Sequence, residues 1–343
     1  MKKRPTSQQV AKRAGVSRTT VSFVLNDVPM NISKATKEKV FQAAQELGYV
    51  PDAAARMLVS GQSRAIGLVI CNAQHLLVDA FIPQVLYGIN EAIRNYGFRV
   101  IVETVDSLAE PSVQRGLVAS RQIDGIAILN PRREDSNLIH ELSEQLPLVD
   151  VGKMGLAEGQ VSREDSPDIQ GARQALEHLI HLGHTNIAHI SFAPKNFSAS
   201  NRRLETYWSQ LERYGLRPRA EYVRYGNYSA QSGFEQAQAL FALNDRPTAI
   251  FAGNDTIAFG ILSAAYRAGL GVPEDLAVVG FDDIPLASSA APPLTTIKID
   301  AVGMGYASGI TLLQQLLECE FEQTQVAEPV LVVRASCGSS KQH

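Results

Sequence analysis

The stretch Thr6–Asn26, TSQQVAKRAGVSRTTVSFVLN, reads as two short helices joined by a glycine turn. Thr6 and Gln9 have capping-box spacing, Val10 and Ala14 give the first helix an apolar stripe, and Gly15 supplies the turn. Ser17 caps the second helix, on which Val21, Val24 and Leu25 recur at helical spacing toward a core. Arg18, Thr19, Ser22 and Phe23 are left facing outward near its N-terminal half. Short polar and guanidinium side chains at that place are what a helix-turn-helix lays in the major groove of DNA to reach base edges. Any amphipathic helix pair would show a similar pattern, and the rest of the chain decides between the two.

Charge is the first discriminator. Residues 1–64 hold 11 Lys or Arg against 4 Asp or Glu, a net of +7. The remaining 279 residues carry 21 against 31, a net of -10, so a basic head precedes an acidic body. Basic excess confined to the helix-turn-helix segment is the footprint of phosphate contacts. A third helix continues the head: Ser33 caps it, Val40, Phe41, Ala44 and Leu47 form its apolar face, and Gly48 stops it. The alanine-rich run from Pro51 to Val59 then gives way to Ser60, Gly61 and Ser63. It is long enough for only two helical turns and by itself reads as a linker.

The 343 residues, 45% hydrophobic and 20% charged, describe an ordinary globular chain with room for two or three domains. No apolar run approaches the roughly 20 residues that span a bilayer. Met1 to Pro5 is basic but runs into polar sequence, so the expected location is the cytoplasm. Cys71, Cys319 and Cys337 are too scattered for a disulfide framework or a metal knuckle and are expected to be small buried residues.

From Ala65 onward, AIGLVI, RVIVETV, GIAILN and PLVDVG alternate with helical patterns around 83–96, 112–120 and 137–145. A second series, NIAHIS, EYVRY, TAIFAG and AVVGF, does the same. Alternation of this kind predicts βαβ units in two parallel sheets, and ligands of such sheets collect at the carboxyl ends of the strands. The loops after these strands should therefore line a cleft between two lobes.

Several segments now carry a resemblance. GVSRTTVSFVLN (Gly15–Asn26), ELGYVPDAAARML (Glu46–Leu58) and SRAIGLVI (Ser63–Ile70) resemble the head, hinge and first core strand of the LacI/GalR family of bacterial transcriptional regulators. EHLIHLGHTNIAHIS, FAGNDTIAFG, GVPEDLAVVGFDDIPLA and PPLTTIKID extend the resemblance in the right order, from about Thr6 to Val333. It implies an all-α helix-turn-helix DNA-binding head (residues 1–50), a hinge helix and linker (51–63), and an α/β periplasmic-binding-protein-like core (64–343) of two lobes with parallel sheets. Lobe 1 would span about 64–160 and 293–326, and lobe 2 about 161–292 and 327–338, with crossings near Val161, Pro292 and Ala327.

By the same resemblance Arg18 and Thr19 are the principal base-reading residues, with Thr6, Ser17, Thr20, Ser22 and Asn26 contributing base or phosphate contacts. Phe23 departs from the arginine often found there. In the hinge, Ala55 meets DNA and Leu58 stands where the family places a leucine wedge, which opens a minor-groove step and bends the duplex. Packing of Leu58 between hinge and core is the alternative.

The resemblance also places Phe81, Arg203, Tyr228, Asn254 and Asp282 at effector positions. Their chemistry suits a polyol: carboxylate and amide meet vicinal hydroxyls, arginine donates a pair of hydrogen bonds, and an aromatic face stacks on a sugar ring. Each has a structural alternative. Asn254 or Asp255 could cap a helix, Arg203 could pair with Glu205 or Glu212, and Phe81 could be core. Ile299 and Ala301 are apolar where some members use polar or aromatic ligand contacts, and Asn72–Ala80, NAQHLLVDA, does not match the Asn-Pro-Phe-type loop frequent in the family.

No catalytic residue, metal or cofactor is expected. Asp282 and Asp283 are consecutive on a strand end and point apart, so they cannot flank one glycosidic bond. Dinucleotide, Walker and serine-elbow patterns do not occur. His178, His181, His184 and His189 fall on a helix leading into a strand, where capping and packing account for them better than metal. The expected partners are double-stranded operator DNA, a small-molecule effector such as a sugar or sugar derivative, and a second copy of the chain, with no membrane. A symmetric dimer matches a pseudo-palindromic site, and no heptad repeat follows Val333 to build a larger assembly. The reading is a DNA-binding regulator, a repressor of carbohydrate-utilisation genes released by its effector. The alternatives are a purine or other corepressor-dependent repressor, and a ligand-binding module without DNA activity.

Overall fold

Two strand series become two sheets, as the alternating pattern predicts. The structure is a computed structural model that describes residues 5–25, 30–49, 61–110, 113, 116–117, 122–153, 166–322 and 324–338. The chain divides into a head ending at Ser63 and a core beginning at Arg64.

The head holds α1 (Ser7–Ala14), α2 (Arg18–Leu25) and α3 (Lys34–Leu47). The capping box forms as spaced: Gln9 N donates to Thr6 Oγ1 at 3.4 Å and Thr6 N to Gln9 Oε1 at 2.8 Å. Gly15 takes the left-handed conformation (φ 68) that turns the chain from α1 into α2. Val10, Ala11, Val21, Val24, Val40, Ala43 and Ala44 form the core of the head. Phe41 and Leu47 depart from expectation, being exposed (52% and 36%). The buried row of α3 is Val40, Ala43 and Ala44, at i, i+3 and i+4; Phe41 lies about 100° round the helix from Val40.

The first sheet of the core contains β1 (Ala65–Cys71), β2 (Arg99–Val105), β3 (Gly125–Leu129) and β4 (Leu148–Asp150), all parallel, in the order β2-β1-β3-β4. Short α4 (Ala73–Val78), then α5 (Phe81–Ile93) and α6 (Ser136–Ser143), connect its strands. The second sheet contains β5 (Ile187–Ser191), β6 (Val223–Tyr225), β7 (Ala249–Ala252), β8 (Ala277–Asp282), β9 (Thr295–Lys298) and β10 (Val330–Val332), in the order β10-β9-β8-β7-β5-β6. Only β10 runs antiparallel to its neighbour. Its helices are α7 (Pro167–His181), α8 (Ser198–Arg213), α9 (Ala230–Phe241) and α10 (Asp255–Arg267). β1 and β3 are buried at every position, as strands covered on both faces must be.

One expected boundary moves. The resemblance puts residues 293–298 in lobe 1, yet Thr295–Lys298 pairs in register with β8 of lobe 2, so the chain crosses after Lys298. Next comes α11 (Ala301–Leu317), which packs along α5 of lobe 1. Gly88 and Gly305 allow that close approach: a Cβ on Gly88 would strike Val302 O, and one on Gly305 would strike Val85 O. The crossings near Val161 and the hinge (51–60, with Ala55 and Leu58) lie outside the described residues, as does Asn26. Cys71 and Cys337 are buried as expected, whereas Cys319 is exposed.

Candidate DNA interface and ligand cleft

On α2 the apolar residues turn inward and leave a polar N-terminal face. Ser17 Oγ accepts from Thr20 N at 2.9 Å and lies 2.8 Å from Thr20 Oγ1, so the cap and first turn are fixed. Arg18 and Thr19 are exposed, and Arg18 Nε donates to Ser7 Oγ at 3.1 Å across the turn. Thr6 and Ser17 are exposed at the starts of α1 and α2, while Thr20 and Ser22 are half-buried. This face can offer a guanidinium and several hydroxyls to a groove without disturbing the head's core.

In the core, the strand order reverses direction beside β1 in the first sheet and beside β5 in the second. Those are the points at which a doubly wound sheet opens a crevice. A narrow cleft lies there, lined from lobe 1 by His75, Asp79, Phe81, Asn130 and Asp150, and from lobe 2 by Asp168, Phe192, Arg202, Arg203 and Asp282. Ile299 and Met304 also reach it. Left-handed backbone gathers at these strand ends: Asn72 (φ 98), Asn130 (φ 51) and Asp282 (φ 109) each follow or end a strand. Such conformations cost energy and persist where packing holds a loop in a required shape.

Arg203 and Asp282 face each other in the cleft, with Nη2 3.8 Å from Oδ1. The guanidinium lies 3.6 Å over the ring of Phe281 and 4.8 Å from that of Phe192. It pairs with neither Glu205 nor Glu212. Its Nε donates to Asp168 Oδ1 at 2.8 Å, and Nη1 donates to Gly253 O. Arg202 takes the other oxygen, its Nε and Nη2 reaching Asp168 Oδ2 at 3.0 and 2.6 Å. Burial works against the Asp168 charge, but the two arginines outweigh it and hold its carboxyl below the usual range. Asp282 is the opposite case. Burial pushes its carboxyl well above the usual value against the pull of Arg203, and among the described residues its Oδ1 has no hydrogen-bond donor. Asp150 is likewise raised by burial, with Lys153 and Arg202 opposing.

Phe81, Arg203 and Asp282 thus line the cleft, whereas Asn254 and Tyr228 lie behind its wall. Asn254 caps α10, its Oδ1 accepting from Ile257 N at 2.9 Å, and its Nδ2 donates to Asp79 Oδ2 at 3.1 Å. Tyr228 is fully buried, and its hydroxyl accepts from Asn130 Nδ2 at 3.4 Å. The ring of His75 stacks on it at 4.4 Å between centroids.

The sequence matches the lacI family model of bacterial regulatory proteins over residues 6–52 and a periplasmic binding protein-like domain over 176–337. It is 35% identical to the HTH-type transcriptional regulator CelR of Thermobifida fusca, over 98% of this chain and 99% of that protein. The chain belongs to the LacI family. As a member it is a DNA-binding transcriptional regulator and not an enzyme. The HTH-type transcriptional repressor CytR of Escherichia coli is 31% identical over 91% of this chain and 89% of its own length. Among solved structures, a Lac repressor dimer bound to operator and the anti-inducer ONPF superposes with a TM-score of 0.79, at 29% identity, covering 97% of this chain and 99% of that one. A CelR–cellobiose complex gives 0.68 at 32% identity, covering 97% and 100%.

Within this LacI-family core, several cleft residues escaped sequence reasoning. Asp168 sits one residue inside α7, where an acid reads as favourable to the helix dipole, and nothing local shows that two arginines on α8 converge on it. His75 and Asp79 have the i, i+4 spacing of a helical pair, with His75 Nε2 2.9 Å from Asp79 Oδ2, but their lobe 2 partners lie far along the sequence. The four-histidine cluster resolves into packing and hydrogen bonds. His178 Nε2 lies 3.2 Å from Cys337 Sγ, His184 Nδ1 3.0 Å from Thr248 Oγ1, and His189 stacks between Tyr207 and Phe251.

Proposed function

We propose that this chain is a homodimeric repressor of carbohydrate-utilisation genes, released from a pseudo-palindromic operator when a small, neutral, hydroxyl-rich effector binds the core cleft. The observation that carries the effector class is Asp282 Oδ1, a buried acceptor on the cleft wall without a donor among the described residues. A ligand hydroxyl supplies one, and half-buried Phe81 offers an apolar face for a sugar ring. The charges of the cleft agree. Asp79, Asp150, Asp168 and Asp282 outnumber Arg202 and Arg203, and Asp168 engages both arginines. An anionic ligand would meet surplus carboxylate. The cellobiose bound to the related CelR is of the neutral class.

In this reading Arg18 and Thr19 read bases, Thr6, Ser17, Thr20 and Ser22 position the head on phosphates or bases, and Asn26, Ala55 and Leu58 complete the contact. The work is done in the bacterial cytoplasm, on the nucleoid. The effector changes the spacing between lobes, and with it the geometry in which two hinges meet one operator.

A thermal-shift scan of the full chain against neutral saccharides, sugar phosphates and purine bases tests the reading. A saccharide at roughly 100 times its dissociation constant adds about 2.7 kcal/mol, a readable rise in melting temperature. The same saccharide is expected to release the chain from a palindromic duplex in fluorescence anisotropy. Stabilisation by purines or sugar phosphates alone would overturn the effector class.

A further inference from the structure

The segment Asn72–Ala80 connects the first strand of lobe 1 to α5 and reaches across to lobe 2. His75 and Asp79 come from lobe 1, yet both end on lobe 2. Asp79 is a buried carboxylate with three donors or donor-capable neighbours: Phe81 N at 3.0 Å, His75 Nε2 at 2.9 Å and, across the lobes, Asn254 Nδ2 at 3.1 Å. Burial opposes its charge, but the His75 contact holds the carboxyl below the usual range. His75 is 3% exposed and lays its ring on Tyr228.

Asn254 and Tyr228 are two of the five residues read as effector contacts, and the chain itself occupies both. Asp79 takes the amide hydrogen that a ligand oxygen would take, and the imidazole takes the aromatic face that a ligand ring would take. We propose that the His75–Asp79 segment is a built-in surrogate ligand, which latches the two lobes together in the absence of effector. The proposal rests on the cleft being the effector site, but not on the effector being a sugar. A backbone bridge also joins the lobes, with Arg133 N donating to Asn196 O at 2.8 Å and Ser198 N to Pro131 O at 3.0 Å. The latch differs from that bridge in using the residues that an effector needs. An effector reaching Tyr228 and Asn254 must therefore displace His75 and Asp79, so the segment sets both the resting spacing of the lobes and the size of ligand accepted without opening the latch.

The test is the distance between lobes in the full chain with no small molecule present. Spin labels go on cysteines introduced at exposed Glu141 in lobe 1 and Gln238 in lobe 2, in a Cys319→Ser background, with labelled chains diluted into unlabelled ones. Asn254→Asp keeps an oxygen to cap α10 but sets a carboxylate against Asp79. The distance distribution is expected to lengthen and broaden. Adding Asp79→Asn restores a donor–acceptor pair with the roles exchanged and returns the distribution to that of the unsubstituted chain. Should Asn254→Asp fail to fold, Asp79→Ala removes the same bond from the lobe 1 side and is expected to lengthen the distance. A distribution unchanged by either single variant, or left long in the double variant, overturns the latch. Because no ligand is present, failure of every saccharide in the thermal scan leaves this result standing.

Discussion

Arg203 reaches Asp168, Asp282 and the ring of Phe281 at once: Nε donates to Asp168 Oδ1 at 2.8 Å, Nη2 stands 3.8 Å from Asp282 Oδ1, and the guanidinium carbon lies 3.6 Å over the ring. No other cation can do this from the same place, because only a planar fork can stack and donate in two directions. Arg203→Lys keeps the charge but loses the stack and part of the fork, leaving buried Asp168 to Arg202. Disrupting a buried pair in this way is expected to cost about 2–5 kcal/mol in urea unfolding. A loss below about 1 kcal/mol would mean that Arg202 alone satisfies Asp168.

Asp282→Asn should separate folding from ligand binding. Burial raises the Asp282 carboxyl in the folded chain, so the stability tied to this group is fully present below its unfolded value near pH 4. That stability is lost as pH rises through the raised folded value. The asparagine variant lacks this loss, and its advantage over the unsubstituted chain in thermal unfolding is expected to be greater at pH 7 than at pH 4. Effector affinity should fall by about 10-fold, since the amide offers a ligand hydroxyl one acceptor oxygen where the carboxyl offers two. Equal pH profiles for the two chains would show that Asp282 ionises freely.

The contrast between Asp282 and His75 shows what the sequence makes legible. Asp282 ends a strand of continuous apolar residues, and in a parallel sheet that alone places it at the crevice. The head is legible for a similar reason: its caps and turn are local, and Thr6, Gly15, Ser17, Ser33 and Gly48 do what their types require. His75, Asp79 and Asp168 were not legible because their roles come from partners on another lobe or another helix. The sheet joined by Thr295–Lys298 was hidden for the same cause, since a four-residue strand carries too little pattern to choose between two edges. Asn254 reads from the sequence as either a helix cap or an effector contact; it is the cap of α10, and its amide meets the chain's own Asp79.

Gly305→Ala tests the seam between α5 and α11. The added methyl would collide with Val85 O, a backbone atom held inside a helix, so the helices must move apart. Overpacking of this kind costs about 1–3 kcal/mol, and the loss should appear in the unfolding of the core. A neutral or stabilising result would show that the two helices slide freely, because alanine is otherwise the better helix former.

Arg18→Ala asks whether α2 reads bases. Arg18 is exposed and its side-chain bond to Ser7 Oγ is a surface contact, so melting of the head should change by no more than about 0.5 kcal/mol. If the guanidinium meets a base edge, affinity for the operator falls by about 1–3 kcal/mol, and substituting the matching base pair then costs the variant little more. Anisotropy titrations against a set of single-base operator variants measure this directly. A uniform loss across all the duplexes, with a salt dependence smaller by about one ion, would assign Arg18 to a phosphate and leave base reading to Thr19 and its neighbours on α2.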